Sequence, residues 1–277
     1  DITHGAAGIG LTLLHFFHKT GNPQFLQGAL ALAESLSSGF SAESETGALT
    51  WSRNRLTSPV VNPEEVFYGF AHGIAGVAYF YLCMFLTLKR EEFLSVSCRS
   101  ASTLLKAARS QGNFLYWPHG PARSTLWPHW CNGNSGVGTF LIRFAAATGD
   151  RAACRLAVRG ARAIFRERWI SGLGQCHGLA GNGEYLLDLF HFTGEQQFQQ
   201  AALYLAGLID LHRIYRPAGI TFPDDTGFPT GIDFSIGPAG IASFLSRLAS
   251  GSPRLLMLDY LFSCTTPSLS PWVRIWS

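Results

Sequence analysis

The feature that most constrains this chain is a four-residue unit, Gly-x-x-Gly, that occurs five times. The copies are Gly5-Ala6-Ala7-Gly8, Gly73-Ile74-Ala75-Gly76, Gly133-Asn134-Ser135-Gly136, Gly178-Leu179-Ala180-Gly181 and Gly237-Pro238-Ala239-Gly240. Each runs into an apolar stretch that suits a buried helix, as in Ile9 to Phe17, Val77 to Leu86 and Ile241 to Leu248. Fifteen residues after the first glycine, three copies carry Thr-Gly and a polar residue: Thr20-Gly21-Asn22, Thr148-Gly149-Asp150 and Thr193-Gly194-Glu195. That combination marks a helix stop and a turn. Ala-rich stretches with helical spacing follow, Phe25 to Leu36, Ala152 to Phe165 and Phe198 to Ile209. Each repeat therefore predicts a glycine turn, an inner helix, a short turn and an outer helix. The repeat interval of roughly 45 to 70 residues suits an array of helical pairs.

The expected fold class is all-α, an (α/α) toroid or barrel of helical hairpins with the glycine turns at the inner-helix starts. In such an array the starts of the inner helices gather at one end. The residues just before each turn then face a common centre. They are Thr3-His4, Ala71-His72, Cys131-Asn132, Cys176-His177 and Ser235-Ile236. This concentration of histidine and cysteine fits a closed toroid with a polar centre better than an open solenoid. Cys131, Cys176 and the adjoining His177 lie at matching points of successive repeats. Two thiols and an imidazole make a Cys₂His set, a ligand set of catalytic zinc, which keeps its fourth position open.

Composition narrows the alternatives. At 277 residues, with 47% apolar and 14% charged residues, the chain can bury a large core as one domain. We take that domain as residues 1–277, with the repeat signal in 1–248 and a C-terminal tail at 249–277. No apolar run is long enough to span a membrane; Val77 to Leu88 is too short. The net charge of +3 is small and the basic residues are scattered, which gives nucleic-acid binding no support. The six cysteines have no disulfide-scaffold spacing. Cys83, Cys98 and Cys154 read as buried, inert thiols in helices, and Cys264 falls in the tail. A thiolate metal site suits a reducing cytoplasm. The first repeat begins at once at Asp1. That reads as a piece of a longer protein, with further hairpins upstream.

With those positions in hand, the chain resembles the lanthionine synthetase C-like family, the cyclases of lanthipeptide biosynthesis. The matching pieces are the Gly-x-x-Gly repeats, His72 to Gly76, Trp130-Cys131-Asn132-Gly133 and Cys176 to Gly181, over about Asp1 to Leu248. The resemblance implies a double-layered toroid with Zn²⁺ held by Cys131, Cys176 and His177. It implies a zinc-dependent reaction on a dehydrated precursor peptide: a cysteine thiolate adds to dehydroalanine or dehydrobutyrine, forming a (methyl)lanthionine thioether. His72 matches the family's acid/base histidine, and Asp1 matches the acidic residue that orients it. Some members are fused behind lyase and kinase domains, and the Trp-Cys-Asn-Gly form resembles that subgroup. Trp127 and Asn132 stand where the nisin-type cyclases place Arg and Tyr; Arg123 is the nearest upstream arginine.

Other polar residues carry weaker readings. His4 shares the register of His72 but matches no catalytic position, so a structural role is expected. His119 and His129, in the aromatic, Pro-rich loop Tyr116 to Trp130, are candidates to line a substrate path. Asp224 and Asp225 sit in a Pro/Gly-rich loop, where solvated turn residues are the default. Two other functions compete: a related enzyme that adds glutathione or another thiol to dehydroamino acids in proteins, and a non-catalytic peptide-binding toroid. A toroidal glycosidase is disfavoured, because the repeat-start positions offer no carboxylate pair.

Overall fold

The computed structural model describes residues 1–42, 49–51, 66–169, 171–227 and 231–262. Cys264 and most of the expected tail lie outside the described residues. Inner helices α1 (Ala6–Thr20), α3 (Ile74–Leu88), α5 (Asn134–Thr148), α7 (Leu179–Thr193) and α9 (Pro238–Ser250) each begin inside a Gly-x-x-Gly unit. Outer helices α2 (Pro23–Ser38), α4 (Glu91–Ala107), α6 (Arg151–Arg166) and α8 (Gln196–Asp210) pair with the first four. Each inner helix also packs on the next, from α1 through α3, α5 and α7 to α9. The result is the expected α/α toroid. The β content among the described residues is four short antiparallel hairpins: β1–β2 (Phe40–Ala42, Leu49–Trp51), β3–β4 (Arg109–Gln111, Phe114–Tyr116), β5–β6 (Pro118–Gly120, Arg123–Leu126) and β7–β8 (Ile214–Arg216, Gly219–Thr221).

The repeat has a local physical cause. None of the inner helices has a side-chain N-cap. Their first N–H groups, which lack intrahelical partners, must be satisfied in another way. Before α3, α5 and α7 the loop supplies carbonyls seven residues upstream: Ile74 donates to Phe67, Asn134 to Trp127 and Leu179 to Gly172, at 2.9, 3.4 and 2.8 Å. The loop can lie this close only if the second glycine of the unit has no side chain. A Cβ at Gly8, Gly76, Gly136, Gly181 or Gly240 would overlap the carbonyl oxygen of Ile2, Phe70, Trp130, Gln175 or Phe234, respectively. The motif is thus a steric requirement for folding the loop back over the helix start.

The Thr-Gly marker is explained at the other end. Thr20, Thr148 and Thr193 each donate to the carbonyl four residues back and accept the N–H of Asn22, Asp150 or Glu195. Gly21, Gly149 and Gly194 take φ of 69°, 76° and 74°, where glycine has no steric cost. Asn22 and Asp150 then cap the outer helices, accepting from Gln24 and Ala153. The second repeat lacks the marker yet keeps the geometry, with Lys89 at φ 57°.

The middle inner helices α3, α5 and α7 are buried nearly all round, α3 from Ile74 to Met84 without a break, whereas α1 and α9 each bury a single stripe. The outer helices bury one stripe, as α6 does with Ala153, Cys154, Ala157, Val158, Ala161 and Ile164 while Arg151 and Arg155 face solvent. Cys83 and Cys154 are buried as expected, but Cys98 is exposed. It lies on the polar stripe of α4, whose buried positions are Phe93, Ser97, Ser100, Ala101, Thr103, Leu104 and Ala107. Its thiol is still raised above its ordinary value, by partial burial and by Asp150 and Glu91.

Candidate metal centre

The loops that precede the inner helices are tied to one another by backbone hydrogen bonds between equivalent residues. Thr3 N–H donates to the Ala71 carbonyl at 3.2 Å, Ala71 to Cys131 at 3.3 Å, Cys131 to Cys176 at 3.0 Å, and Cys176 to Ser235 at 2.7 Å. Each donor and acceptor lies two residues before a Gly-x-x-Gly unit. This chain of bonds makes neighbours of residues that are 45 to 68 positions apart in sequence. Cys131 and Cys176 are brought side by side, and so are the residues just after Thr3 and Ala71, namely His4 and His72.

One ligand atom from each of Cys131, Cys176 and His177 falls within 4.8 Å of the other two. Bonds of about 2.3 Å to sulfur and 2.0–2.1 Å to nitrogen put the donors of a filled tetrahedral site about 4 Å apart or less. The three groups therefore need to close by about 1 Å or less to hold zinc, and two thiols with an imidazole match its preference for S and N donors. All three are half-buried. The two sulfurs share a proton: the Cys176 hydrogen bond holds the Cys131 thiol below its ordinary value, and the Cys176 thiol is pushed up because it gives that bond. His177 is raised by its contact with Cys176 and by Asp225, against the opposing effect of burial. A metal would take the place of these shared protons.

Asp225, read from sequence as a solvated turn residue, is part of this centre. Its side chain is only 8% exposed, and Oδ2 lies 3.1 Å from His177 Nε2. Its Oδ1 accepts the N–H groups of Leu173 and Gly174, both at 3.2 Å. Its own N–H donates to the Ile236 carbonyl. The default for a Pro/Gly-rich loop fails here because the loop is clamped between two repeat starts. The buried carboxylate faces Nε2 without a hydrogen bond to it, and its charge beside that nitrogen favours the ring orientation that leaves Nδ1 for the metal.

Of the remaining predicted residues, His72 and Asp1 meet: Nδ1 is 3.0 Å from Asp1 Oδ2. His4, expected to be structural, is exposed and stacks on His72 with ring centres 5.5 Å apart and planes 6° apart. His129 does not face solvent. It is 6% exposed with its ring 5.9 Å from that of His177. Burial first, then His177 and His119, push its pKa down to about 3, so it stands as a neutral wall of the centre. His119 packs edge-on against Trp127, which is 43% exposed. Arg123 lies in β6 with an exposed side chain. Asn132 Oδ1 and Trp130 Nε1 are buried and have no hydrogen-bond partner among the described residues.

A cavity of about 260 Å³ opens beside Cys176, lined also by Ile2, Phe70, Trp130, Glu184 and Arg254. Its far side is formed by residues past the end of the repeat signal. After α9 the chain returns toward the ring centre and ends the described structure in a single 3-10 turn, Asp259–Leu261. Arg254 reaches Asp188 Oδ2 at 2.6 Å and Asp259 Oδ1 accepts from Arg143 Nε at 2.6 Å. Arg247 completes the cluster on Glu184 and Asp188 at 2.5 and 2.9 Å. Nothing in the repeat pattern marks these residues; isolated charges in apolar helices were the available signal.

Comparisons with known proteins fit this geometry. The nisin cyclase structure superposes on 99% of this chain and 67% of its own length, with a TM-score of 0.71 at 15% identity. The α-1,6-mannanase GH76A of Salegentibacter sp. HEL1_6 shares the fold more loosely, with a TM-score of 0.59 at 17% identity over 88% of this chain and 72% of its own. The zebrafish (Danio rerio) protein named glutathione S-transferase LANCL1 is 28% identical over 209 residues, 74% of this chain. The chain spans about half, 49%, of that relative's length. The lanthionine synthetase C-like protein model matches residues 1–262, from the Asp1–His72 contact through the cysteine pair to the returning C-terminal segment, and the chain belongs to that family.

Proposed function

We propose that the chain is a zinc-dependent lanthionine synthetase, joining a peptide cysteine to a dehydroalanine or dehydrobutyrine of the same dehydrated precursor. The observation that carries this reading is the convergence of Cys131, Cys176 and His177 within 4.8 Å at adjacent repeat starts, in the same ring of loops as the Asp1–His72 pair. Zinc, held by those three residues, would supply the acidity that turns a substrate thiol of ordinary pKa near 8.5 into a thiolate at neutral pH.

The rest of the chemistry falls to the protein. Addition of sulfur to the β-carbon leaves an enolate, and a proton must reach the α-carbon. Asp1 Oδ2 accepts from His72 Nδ1, which holds the imidazole in the tautomer that exchanges its proton at Nε2. The cavity beside Cys176, lined by Phe70 and Trp130, gives a substrate apolar contacts next to the centre. Buried neutral His129 flanks His177 and packs against the Trp127 ring. A thiolate-rich centre of this kind favours a reducing, cytoplasmic setting. Among the described residues no helix is long and apolar enough to cross a membrane.

The zebrafish relative favours a second reading, in which a small thiol such as glutathione adds to a dehydroamino acid of a protein with the same groups. Two substrates separate them. A dehydrated peptide that contains cysteine should lose its free thiol without added thiol. A cysteine-free dehydrated peptide should gain the mass of glutathione only under the second reading. Neither reaction occurring with zinc-loaded protein would leave the peptide-binding alternative. The toroidal glycosidase stays disfavoured, because Asp1 and Asp225 are each committed to a histidine.

A further inference from the structure

The ring of repeat-start loops gathers a second set of metal donors one pair away from the first. We propose that Asp1, His4 and His72 form a separate site for a borderline divalent transition ion such as Zn²⁺, Co²⁺ or Ni²⁺. One ligand atom from each of the three residues lies within 4.8 Å of the other two, the same spread as in the cysteine-containing centre. Two imidazoles and one carboxylate are a donor set that suits such ions and not Mg²⁺ or Ca²⁺, which take oxygen.

The three groups are held in place before any ion arrives. Ile2 and Thr3 both donate to the Ala71 carbonyl, at 2.9 and 3.2 Å, which fixes the segment carrying Asp1 and His4 against the one carrying His72. Asp1 Oδ1 accepts the His4 N–H at 2.8 Å and turns Oδ2 toward His72 Nδ1. The parallel His4 and His72 rings are side by side, because both follow residues joined in the backbone bond chain. The His4 ring nitrogens have no hydrogen-bond partner among the described residues, so binding them costs no protein contact. The ion would displace the proton shared by Asp1 Oδ2 and His72 Nδ1 and release it to solvent.

Such a site regulates the reaction proposed above, and this part of the inference rests on that reading. With an ion on Nδ1, the proton left on His72 Nε2 can leave only by forming an imidazolate, so the side chain no longer delivers a proton to the enolate. Excess zinc then inhibits, while the first equivalent activates. His4 is the residue that converts a two-residue acid/base pair into a three-donor metal site.

The test is titration of the metal-depleted protein with Co²⁺, followed by absorption and by equilibrium dialysis. The wild type should bind about two ions per chain, one with the intense charge-transfer bands of thiolate ligation and one without them. His4→Asn and, as a second variant, His72→Asn should each lose the second ion and keep the first. A single ion in the wild type, or a second ion retained in both variants, overturns the site. For the regulatory part, excess zinc should slow thioether formation by the wild type at least about tenfold and leave His4→Asn nearly unaffected. Equal inhibition of both overturns it. The Co²⁺ binding data stand or fall whether or not the chain proves to be a cyclase.

Discussion

His177 Nε2 lies 3.1 Å from Asp225 Oδ2, a buried carboxylate whose other oxygen is anchored by the backbone N–H groups of Leu173 and Gly174. The histidine that adjoins Cys176 is thus oriented by a residue from a different loop, 48 positions away in sequence. Replacing Asp225 with Asn keeps the size and the backbone contacts but removes the charge. Zinc affinity, measured by competition with a chelating dye, should fall about 10- to 100-fold. Unchanged affinity would make Asp225 a loop brace and nothing more.

The ligand assignment itself predicts about one tightly held zinc per chain, from two thiolates and one imidazole. Elemental analysis should find it in the wild type, and a Cys131→Ala, Cys176→Ala double variant should hold one zinc fewer. Removal of zinc from the wild type with a chelator should abolish thioether formation, and stoichiometric zinc should restore it. Full metal content in the double variant would sink the assignment.

How far the sequence discloses this molecule follows from which forces are local. The Gly-x-x-Gly unit and the Thr-Gly marker report sterics within a few residues, as at Gly136 against the Trp130 carbonyl and Gly149 in the left-handed region. From them the toroid, its hairpins and the gathering of Cys131, Cys176, His177 and His72 at one end could be read, whereas Asp1 came only from the family resemblance. Asp225 could not, because its partner is set by contact between two irregular loops. The returning segment with Arg254 and Asp259 was hidden for the same reason: its partners, Asp188 and Arg143, lie on helices far away in sequence. Cys98 was misread since a helical pattern does not by itself say which side of an outer helix meets solvent.

That returning segment supplies a stability prediction. Asp188 is fully buried and touches the guanidinium groups of Arg143, Arg247 and Arg254. Burial pushes its carboxyl up, but the three arginines outweigh burial and hold it well below the usual range. A carboxylate with a depressed folded-state pKa stabilises fully above its unfolded value of about 3.9, and that stability is lost as pH falls below it. Asp188→Ala leaves buried arginines uncompensated and should cost about 3–5 kcal/mol in denaturant unfolding near pH 7. The difference between variant and wild type should shrink as the pH is lowered below about 4. A difference that stays constant from neutral to acid pH would mean that packing, and not charge, is what Asp188 contributes.

His72 separates proton transfer from metal binding. Its Nδ1 is committed to Asp1 Oδ2 at 3.0 Å, and it enters the ring of loops next to Ala71, whose N–H donates to the Cys131 carbonyl. His72 is therefore tied through one backbone bond to the loop that carries a candidate zinc ligand, yet it is not one of the three donors that converge there. Replacement of His72 with Asn should leave one zinc per chain on the cysteine-containing centre and leave the melting temperature close to that of the wild type. Thioether formation should slow by about 10²- to 10⁴-fold, the range expected when a general acid–base group is lost. The Cys131→Ala variant should instead lose that zinc and activity together. Asp1→Asn should fall between the wild type and His72→Asn, since it weakens the hold on the tautomer but leaves the imidazole. If His72→Asn cyclises at a near-normal rate, a different group delivers the proton to the α-carbon, and the Asp1–His72 pair serves the turn before α3.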